Sequence, residues 1–201
     1  MPATLEELRA EAQARRACDL WRRGTRAVVG EGRPDASLVL VGEQPGDRED
    51  IAGRPFVGPA GRVLDEALAE AGLDRADLFL TNAVKHFTWR EGKGKRRLHD
   101  TPTAGEVQAC APWLAAEALV RPAVLVCLGA TAVRALLGRR VRLADVRGAV
   151  DETPLGAPAT ATLHPAAVLR APDEAAGREA RAGLAADLAA ATRLAAAARP
   201  A

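Results

Sequence analysis

Aromatic side chains are scarce in this chain. Only 3% of its 201 residues are aromatic, with three phenylalanines, three tryptophans and no tyrosine, although 48% are hydrophobic. This apolar content excludes a disordered chain, because disorder requires too little apolar surface to offset the ordering entropy. It suffices for one α/β domain with a real core, and the length is short for two. We expect a single domain over residues 1–201.

Long hydrophobic runs are also absent. No apolar stretch reaches the roughly 18–20 residues that a membrane-spanning helix needs. The opening residues, MPATLEE, lack the basic-then-apolar order of a signal peptide. We therefore expect a cytoplasmic protein with no membrane partner.

Cysteine and histidine are rare, with three of each. They are Cys18, Cys110, Cys127, His86, His99 and His164. An odd, low number of cysteines does not support a disulfide framework, and leaves metal ligands, a nucleophile or buried thiols as roles. Cys127 lies inside a predicted strand and is expected to pack in the core. The charge is nearly balanced, with 28 Lys and Arg against 26 Asp and Glu. This balance argues against a general nucleic-acid coating protein but permits a local basic patch.

Short apolar runs alternate with helical patterns along the chain. Strands are predicted at 37–42, 77–81, 123–128 and near 160–163, and helices over 4–23, 60–71, 103–119, 129–137 and from Asp173 onward. This alternation predicts an α/β fold, a three-layer α/β/α sandwich with a central four-stranded, mostly parallel sheet. In such folds the working loops follow the carboxyl ends of the strands.

The loop after the first strand begins GEQPGD at residue 42 and carries Glu43. Its glycine spacing fits neither the dinucleotide fingerprint nor the P-loop. It is either an ordinary turn with a solvated Glu43 or a turn that presents a carboxylate to a ligand. Phe56 follows in the same loop, among glycines and prolines. It either plugs the core or stacks on a planar ligand, which neighbouring glycines would let approach.

Two further strand ends carry polar side chains. Asn82 follows the second strand, where its amide either caps a turn or reads the polar edge of a base. His164 follows the fourth strand and precedes Pro165, which fixes the chain and could orient the imidazole into a site. An isolated His-Pro pair is weak evidence for this role.

The segment REGKGKRRLH spans residues 90–99, and five of its ten residues are Lys or Arg. It is either a solvated loop or a loop that contacts phosphates beside a cleft. His99 ends this segment, and no apolar periodicity there would place it in a core.

Taken together, these segments resemble the uracil-DNA glycosylase superfamily in its iron–sulfur branch, family 4, and most closely its UdgX-type enzymes. The motifs GEQPGDRED, GRPFVGPAG, TNAVKHF, KRRLH and LHP occur in the order of that family, over about residues 15–190. GEQPG together with the KRRLH-type insertion points to the UdgX type. The resemblance implies uracil-containing DNA as the substrate, with a preference for single strands, free uracil as a product and a monomeric enzyme.

The resemblance also assigns roles to individual residues. Phe56 would stack on a flipped uracil and Asn82 would bond its edge, while His164 would stabilise the uracil anion. The pocket would be shaped by Gly42, Gln44 and Asp47. In UdgX-type enzymes a histidine of the basic loop attacks C1′ of the deoxyribose and stays bonded to the DNA. Here that nucleophile is His99, with Glu43 orienting or activating it. Phosphates would be contacted by Lys95, Arg96 and Arg97.

The resemblance further implies a 4Fe-4S cluster, and here the chain departs from the family pattern. Cys18, His86 and Cys110 match three ligand positions, but Arg15 stands where the family has its first cysteine. An imidazole can replace a thiolate as a ligand. A cluster with an unusual fourth ligand, a labile cluster and no cluster all remain open. In the last case Cys18 and Cys110 are buried thiols.

Three other functions compete with a cross-linking glycosylase. A hydrolytic family 4 enzyme would share the uracil pocket but use water at C1′, and His99 distinguishes the two. A non-catalytic nucleic-acid-binding module would bind uracil DNA without releasing uracil. A generic phosphate-binding protein would be indifferent to uracil.

Overall fold

The computed structural model describes residues 4–14, 19–138 and 142–198. Its main sheet has six strands in the order β1-β3-β2-β6-β8-β7, and β4 and β5 form a separate hairpin. The strands are β1 (Glu31–Gly32), β2 (Leu38–Gly42), β3 (Phe79–Asn82), β4 (Trp89–Glu91), β5 (Arg97–His99), β6 (Val124–Leu128), β7 (Val150–Asp151) and β8 (Ala159–Thr162).

The helices connect these strands. They are α1 (Leu5–Ala14), α2 (Asp47–Ala52), α3 (Pro59–Glu70), α4 (Ala104–Ala116), α5 (Ala130–Leu137), α6 (Leu143–Val146), α7 (Ala166–Leu169) and α8 (Glu174–Ala198). Short 3-10 helices cover Asp19–Arg22, Arg75–Asp77, Lys93–Lys95 and Glu117–Val120. Within the described ranges, no helix is long and apolar enough to cross a membrane.

Helices cover both faces of the main sheet, which confirms the predicted three layers. Alternate strand residues, such as Val41 and Cys127, pack on one face against α4 and α5. Their neighbours, such as Leu40 and Val126, pack on the other face against α3 and α8. Strands buried on both faces read as continuous apolar runs, which is why the sequence pattern located them.

The central sheet is larger than predicted. Strands β3, β2, β6 and β8 are the four predicted parallel strands, and β1 and β7 add antiparallel edges. The predicted four-stranded sheet is therefore the parallel centre of a six-stranded one. Each edge strand has only two residues, too few to show a periodic pattern.

Most predicted helix boundaries are confirmed by their caps. The Thr103 side chain accepts from the Glu106 amide, and Gly72 has the left-handed φ of 72° expected beyond the end of α3. Asp173 Oδ1 accepts from the Ala176 amide at the start of α8. The helix predicted over 4–23 is not helical to its end, since α1 is described over Leu5–Ala14, residues 15–18 lie outside the described residues, and a 3-10 turn covers Asp19–Arg22.

The basic segment, predicted to be a loop, contains the β4–β5 hairpin. Trp89 pairs with His99, so the hairpin brings both ends of the segment together. The indole Nε1 of Trp89 donates to the Arg23 carbonyl at 2.9 Å, which fastens the hairpin to the body of the protein.

Candidate active site

A cavity of about 820 Å³ opens at the carboxyl ends of the parallel strands. The strand register aligns these ends, with Gly42 opposite Asn82 and Leu128 opposite Thr162. The loops after all four parallel strands converge there, as the fold predicts. Seven predicted site residues line the cavity: Glu43, Gln44, Asp47, Phe56, Asn82, His99 and His164.

Gln44 fastens the hairpin that carries His99. Its Oε1 accepts from the Thr88 amide at 2.9 Å, and its Nε2 donates to the carbonyls of Thr88 at 3.1 Å and Asp100 at 2.8 Å. His99 Nε2 lies 2.9 Å from the same amide nitrogen. Because an amide has only two hydrogens, the two carbonyls account for both of them.

Glu43 links His99 to the opposite side of the cavity. Its Oε1 lies 3.3 Å from His99 Nε2. Its Oε2 accepts from the Thr131 hydroxyl, at 2.5 Å, near the N-terminus of α5. The carboxylate is thus held at one oxygen and directed at the imidazole with the other.

His164 is held as a neutral imidazole of defined tautomer. The Ala166 amide donates to its Nδ1 at 3.1 Å, so the ring proton belongs on Nε2. Burial, together with the charges of Arg170 and His99, lowers the pKa of His164 to about 4. A neutral Nε2–H can donate to a developing anion without losing its own proton first.

Phe56 and Asn82 meet above Gly42. The Phe56 ring is buried and lies 6.4 Å from the His164 ring, measured between centroids, with a 32° angle between the planes. A Cβ added to Gly42 would overlap Asn82 Oδ1 and lie 2.6 Å from Phe56 Cζ. Because Gly42 has no side chain, the Phe56 ring and the Asn82 amide can both lie against its Cα in the cavity.

A buried ion pair supports the strand end at Asn82. Lys85 Nζ donates to the Asn82 carbonyl at 2.7 Å, to the Thr81 hydroxyl at 2.8 Å and to Glu117 Oε2 at 2.8 Å. All three ammonium hydrogens are thereby used, as a buried charge requires. The other carboxylate oxygen of Glu117 accepts from the Gly30 amide.

The three predicted phosphate contacts differ in their surroundings. Arg96 is exposed on the hairpin, whereas the Arg97 guanidinium faces inward. Arg97 pairs with Asp47 and with the fully buried Asp50, each at 2.6 Å, and lies over the Phe87 ring. The Lys95 side chain lies outside the described residues.

Besides Lys85 and Glu117 of the buried ion pair, sequence reasoning missed three residues that support this site. They are Thr131, Arg75, which contacts the loop of Phe56, and Glu49, which accepts from the Gly46 and Gly58 amides. The convergence rule pointed to the loop after β6, where Thr131 lies, but singled out no residue there. No pattern in the sequence marks Arg75 or Glu49.

Of the predicted cluster ligands, His86 and Cys110 lie apart from the cavity lining. Cys110 is buried on α4 and packs with Leu20 and Val84, so the segments next to Cys18 and His86 converge on it. Arg15 and Cys18 themselves lie outside the described residues. Across 4–14, 19–138 and 142–198, no three His, Cys, Asp or Glu side chains are grouped to hold a metal ion. The described ligands therefore fall short of a cluster site by themselves.

Comparison with known proteins identifies the family. Residues 29–189 match the family model of the uracil DNA glycosylase superfamily. A type-4 uracil-DNA glycosylase of Thermotoga maritima is 41% identical over 156 residues, covering 77% of each chain. That of Pyrobaculum aerophilum is 40% identical over 163 residues, covering 77% of this chain and 79% of its own. That of Archaeoglobus fulgidus is 36% identical over 177 residues, covering 84% of this chain and 85% of its own.

Proposed function

The chain belongs to the uracil DNA glycosylase superfamily and to its type-4 family, and we propose that it excises uracil from DNA. The observation that carries this proposal is the meeting of Phe56, Asn82 and His164 in one cavity. An aromatic face, an amide edge and a neutral imidazole donor are what a flipped pyrimidine and its departing anion require.

The bond to be broken joins N1 of uracil to C1′ of deoxyribose. Its electron pair leaves with uracil, and the negative charge develops on the base. His164 would donate from Nε2 to that charge, since its Nδ1 is occupied by the Ala166 amide. Asn82 would hold the base edge while Phe56 stacks on its face.

We further propose that His99 forms a covalent bond to C1′ once uracil departs, and that it stays bonded to the DNA. Glu43 Oε1 would accept the Nε2 proton of His99 as the lone pair of the other, unprotonated ring nitrogen forms the bond to C1′. Uracil leaves as the anion, so the proton held by Glu43 balances the step. The 3.3 Å separation and the fastening of the hairpin by Gln44 support this assignment.

The second candidate is a hydrolytic type-4 enzyme that turns over, and the relatives bear the name type-4 uracil-DNA glycosylase. A denaturing gel separates the two after incubation with single-stranded uracil DNA. We expect a protein–DNA adduct that survives boiling. Free uracil with unlinked DNA would contradict the covalent step and leave the glycosylase. Uracil DNA that is bound without uracil release would indicate a non-catalytic module.

The variant His99→Ser tests the nucleophile directly. We expect it to form no adduct, and mass spectrometry of the wild-type adduct to place the deoxyribose on His99. An unchanged adduct in the variant would assign the nucleophile to another residue.

The proposal includes a monomeric, single glycosylase domain over residues 1–201 with a preference for single-stranded DNA. A base that is unpaired costs less to extrude from its stack, which favours the single strand. Sedimentation of the free protein and competition between single- and double-stranded uracil DNA test these two statements.

A 4Fe-4S cluster is proposed as a structural element, held by Cys18, His86 and Cys110 with an unassigned fourth ligand. The packing of Cys110 against Leu20 and Val84 supports it, because the cluster would tie these segments together. An iron assay with the visible absorption of the purified protein tests it. Colourless, iron-free, active protein would show that the fold and the activity need no cluster.

A further inference from the structure

Phe56 has an unusual backbone conformation for an aromatic residue. Its φ is 55°, in the left-handed region, which is unfavourable for a residue with a Cβ. Strain of this kind persists only where the surrounding structure imposes it, and it concentrates at functional sites. The same residue carries the ring that lines the cavity.

Arg75 holds the strained segment from outside the cavity. Its Nη1 donates to the Phe56 carbonyl at 3.1 Å, and its Nη2 donates to the Pro55 carbonyl at 2.9 Å. One guanidinium thus binds two consecutive carbonyls. A lysine ammonium has no planar fork and cannot match this geometry.

Two residues of α3 add to the constraint on the Phe56 backbone. Asp65 on α3 accepts from Arg75 Nη1 at 2.9 Å and fixes the position of the guanidinium. Gly61, in the first turn of α3, would overlap the Phe56 carbonyl oxygen if it carried a Cβ. The carbonyl is therefore pressed between α3 and Arg75, while the ring projects to the other side.

We propose that Arg75 is a positioning residue, which imposes the left-handed conformation on Phe56 and so aims its ring at the base. The proposal rests on the stacking role of Phe56 in the proposed function. Without Arg75 the Phe56 backbone relaxes to a negative φ, and the ring leaves the orientation in which it can stack. Arg75 is not part of the cavity lining, so its effect passes through Phe56.

Fluorine NMR tests whether Arg75 fixes the conformation of Phe56, and it needs no measurement of activity. The chain has three phenylalanines, so protein labelled with 4-fluorophenylalanine gives three signals, and Phe56→Leu assigns one of them. Arg75→Lys should shift or broaden the Phe56 signal. The matched control is Arg33→Lys, because Arg33 pairs with Asp77 of the same 3-10 helix and with Asp35. An unmoved Phe56 signal in Arg75→Lys would overturn the proposal.

A double-mutant cycle tests whether Arg75 affects uracil excision through Phe56. Single-turnover uracil release should fall roughly tenfold in Arg75→Lys, within the range of base–aromatic stacking. In a Phe56→Leu background the same change should cost less than about twofold, because the ring through which Arg75 acts is gone. Binding of uracil-free DNA should not change. An equal loss in both backgrounds would show that Arg75 acts elsewhere and overturn the proposal.

Asp65→Asn provides a milder variant if Arg75→Lys does not fold. It keeps both bonds from Arg75 to the carbonyls but weakens their anchor, and should change excision and the Phe56 signal in the same direction. No change in either would count against the proposal. Wild-type protein that releases no uracil would instead refute the proposed function, and the fluorine signal still reports on Arg75.

Discussion

His99 Nε2 lies 3.3 Å from Glu43 Oε1, and the two residues reach this contact from unrelated parts of the chain. Glu43 follows β2 of the main sheet, whereas His99 ends β5 of the small hairpin. The bonds of Gln44 to both flanks of the hairpin bring them together. In the proposed function this contact places a proton acceptor within reach of the nucleophile, as an attack on C1′ requires.

Glu43→Gln should slow adduct formation by roughly 10²-fold or more, because an amide cannot accept the proton of His99. The rate is measured under single-turnover conditions from the adduct band on a denaturing gel, with uracil release followed in parallel. Glu179→Gln is the matched control, since Glu179 is exposed on α8. Adduct formation at the wild-type rate in Glu43→Gln would exclude Glu43 as the base.

Thr131→Val should reduce the rate of adduct formation about tenfold. The free energy that corresponds to this loss is smaller than the full contribution of a hydrogen bond to a charged group, which is roughly 1.5–3 kcal/mol. The hydroxyl of Thr131 holds Glu43 Oε2, and valine keeps the shape of the side chain without that donor. Thr131→Ser retains the hydroxyl and should restore most of the rate. Equal rates in the valine and serine variants would mean that the hydroxyl does not direct Glu43.

The main sheet could be predicted because its four parallel strands are buried on both faces and appear as apolar runs. The convergence of Glu43, Asn82 and His164 followed from the same prediction, since each lies at the end of such a strand or just after it. The hairpin could not be predicted, because β4 and β5 are polar three-residue strands. The support given by Thr131, Arg75 and Glu49 also has no sequence signal. This support depends on single hydrogen bonds between residues that are far apart in sequence, and such bonds form only when the chain is folded.

Arg97 and Arg96 are adjacent in sequence but should respond differently to removal of their charge. Arg97→Met leaves the buried carboxylate of Asp50 without its guanidinium partner, and should destabilise the fold by about 3–5 kcal/mol. Urea denaturation measures this loss. The hairpin should also become sensitive to protease, because Arg97 ties it to α2 through Asp47 and Asp50.

Arg96→Met is the control for that prediction. Arg96 is exposed, so the variant should keep its stability within about 0.5 kcal/mol. If Arg96 contacts a phosphate, the salt dependence of DNA binding should fall by a slope of about 1. Two variants with the same stability would show that Arg97 does not hold the hairpin.

The lowered pKa of His164 predicts that the folded protein loses stability in acid. This pKa is lowered to about 4 by burial and by the charges of Arg170 and His99, against about 6.5 in an unfolded chain. Between these pH values the unfolded chain binds the proton and the folded protein does not. The contribution of His164 to stability is therefore complete above about pH 6.5 and is lost as the pH falls toward 4.

Urea denaturation at pH 7 and pH 5 measures this loss, and His164→Gln should remove that part of the pH dependence. Glutamine cannot titrate but keeps a polar side chain at the strand end. In the wild-type protein the imidazole of His164, followed by NMR, should titrate near pH 4. It therefore stays neutral and able to donate from Nε2 at pH values well above 4. A midpoint near 6.5 would mean that the imidazole is solvated and charges in the cavity. It could not then serve as the neutral donor to the uracil anion.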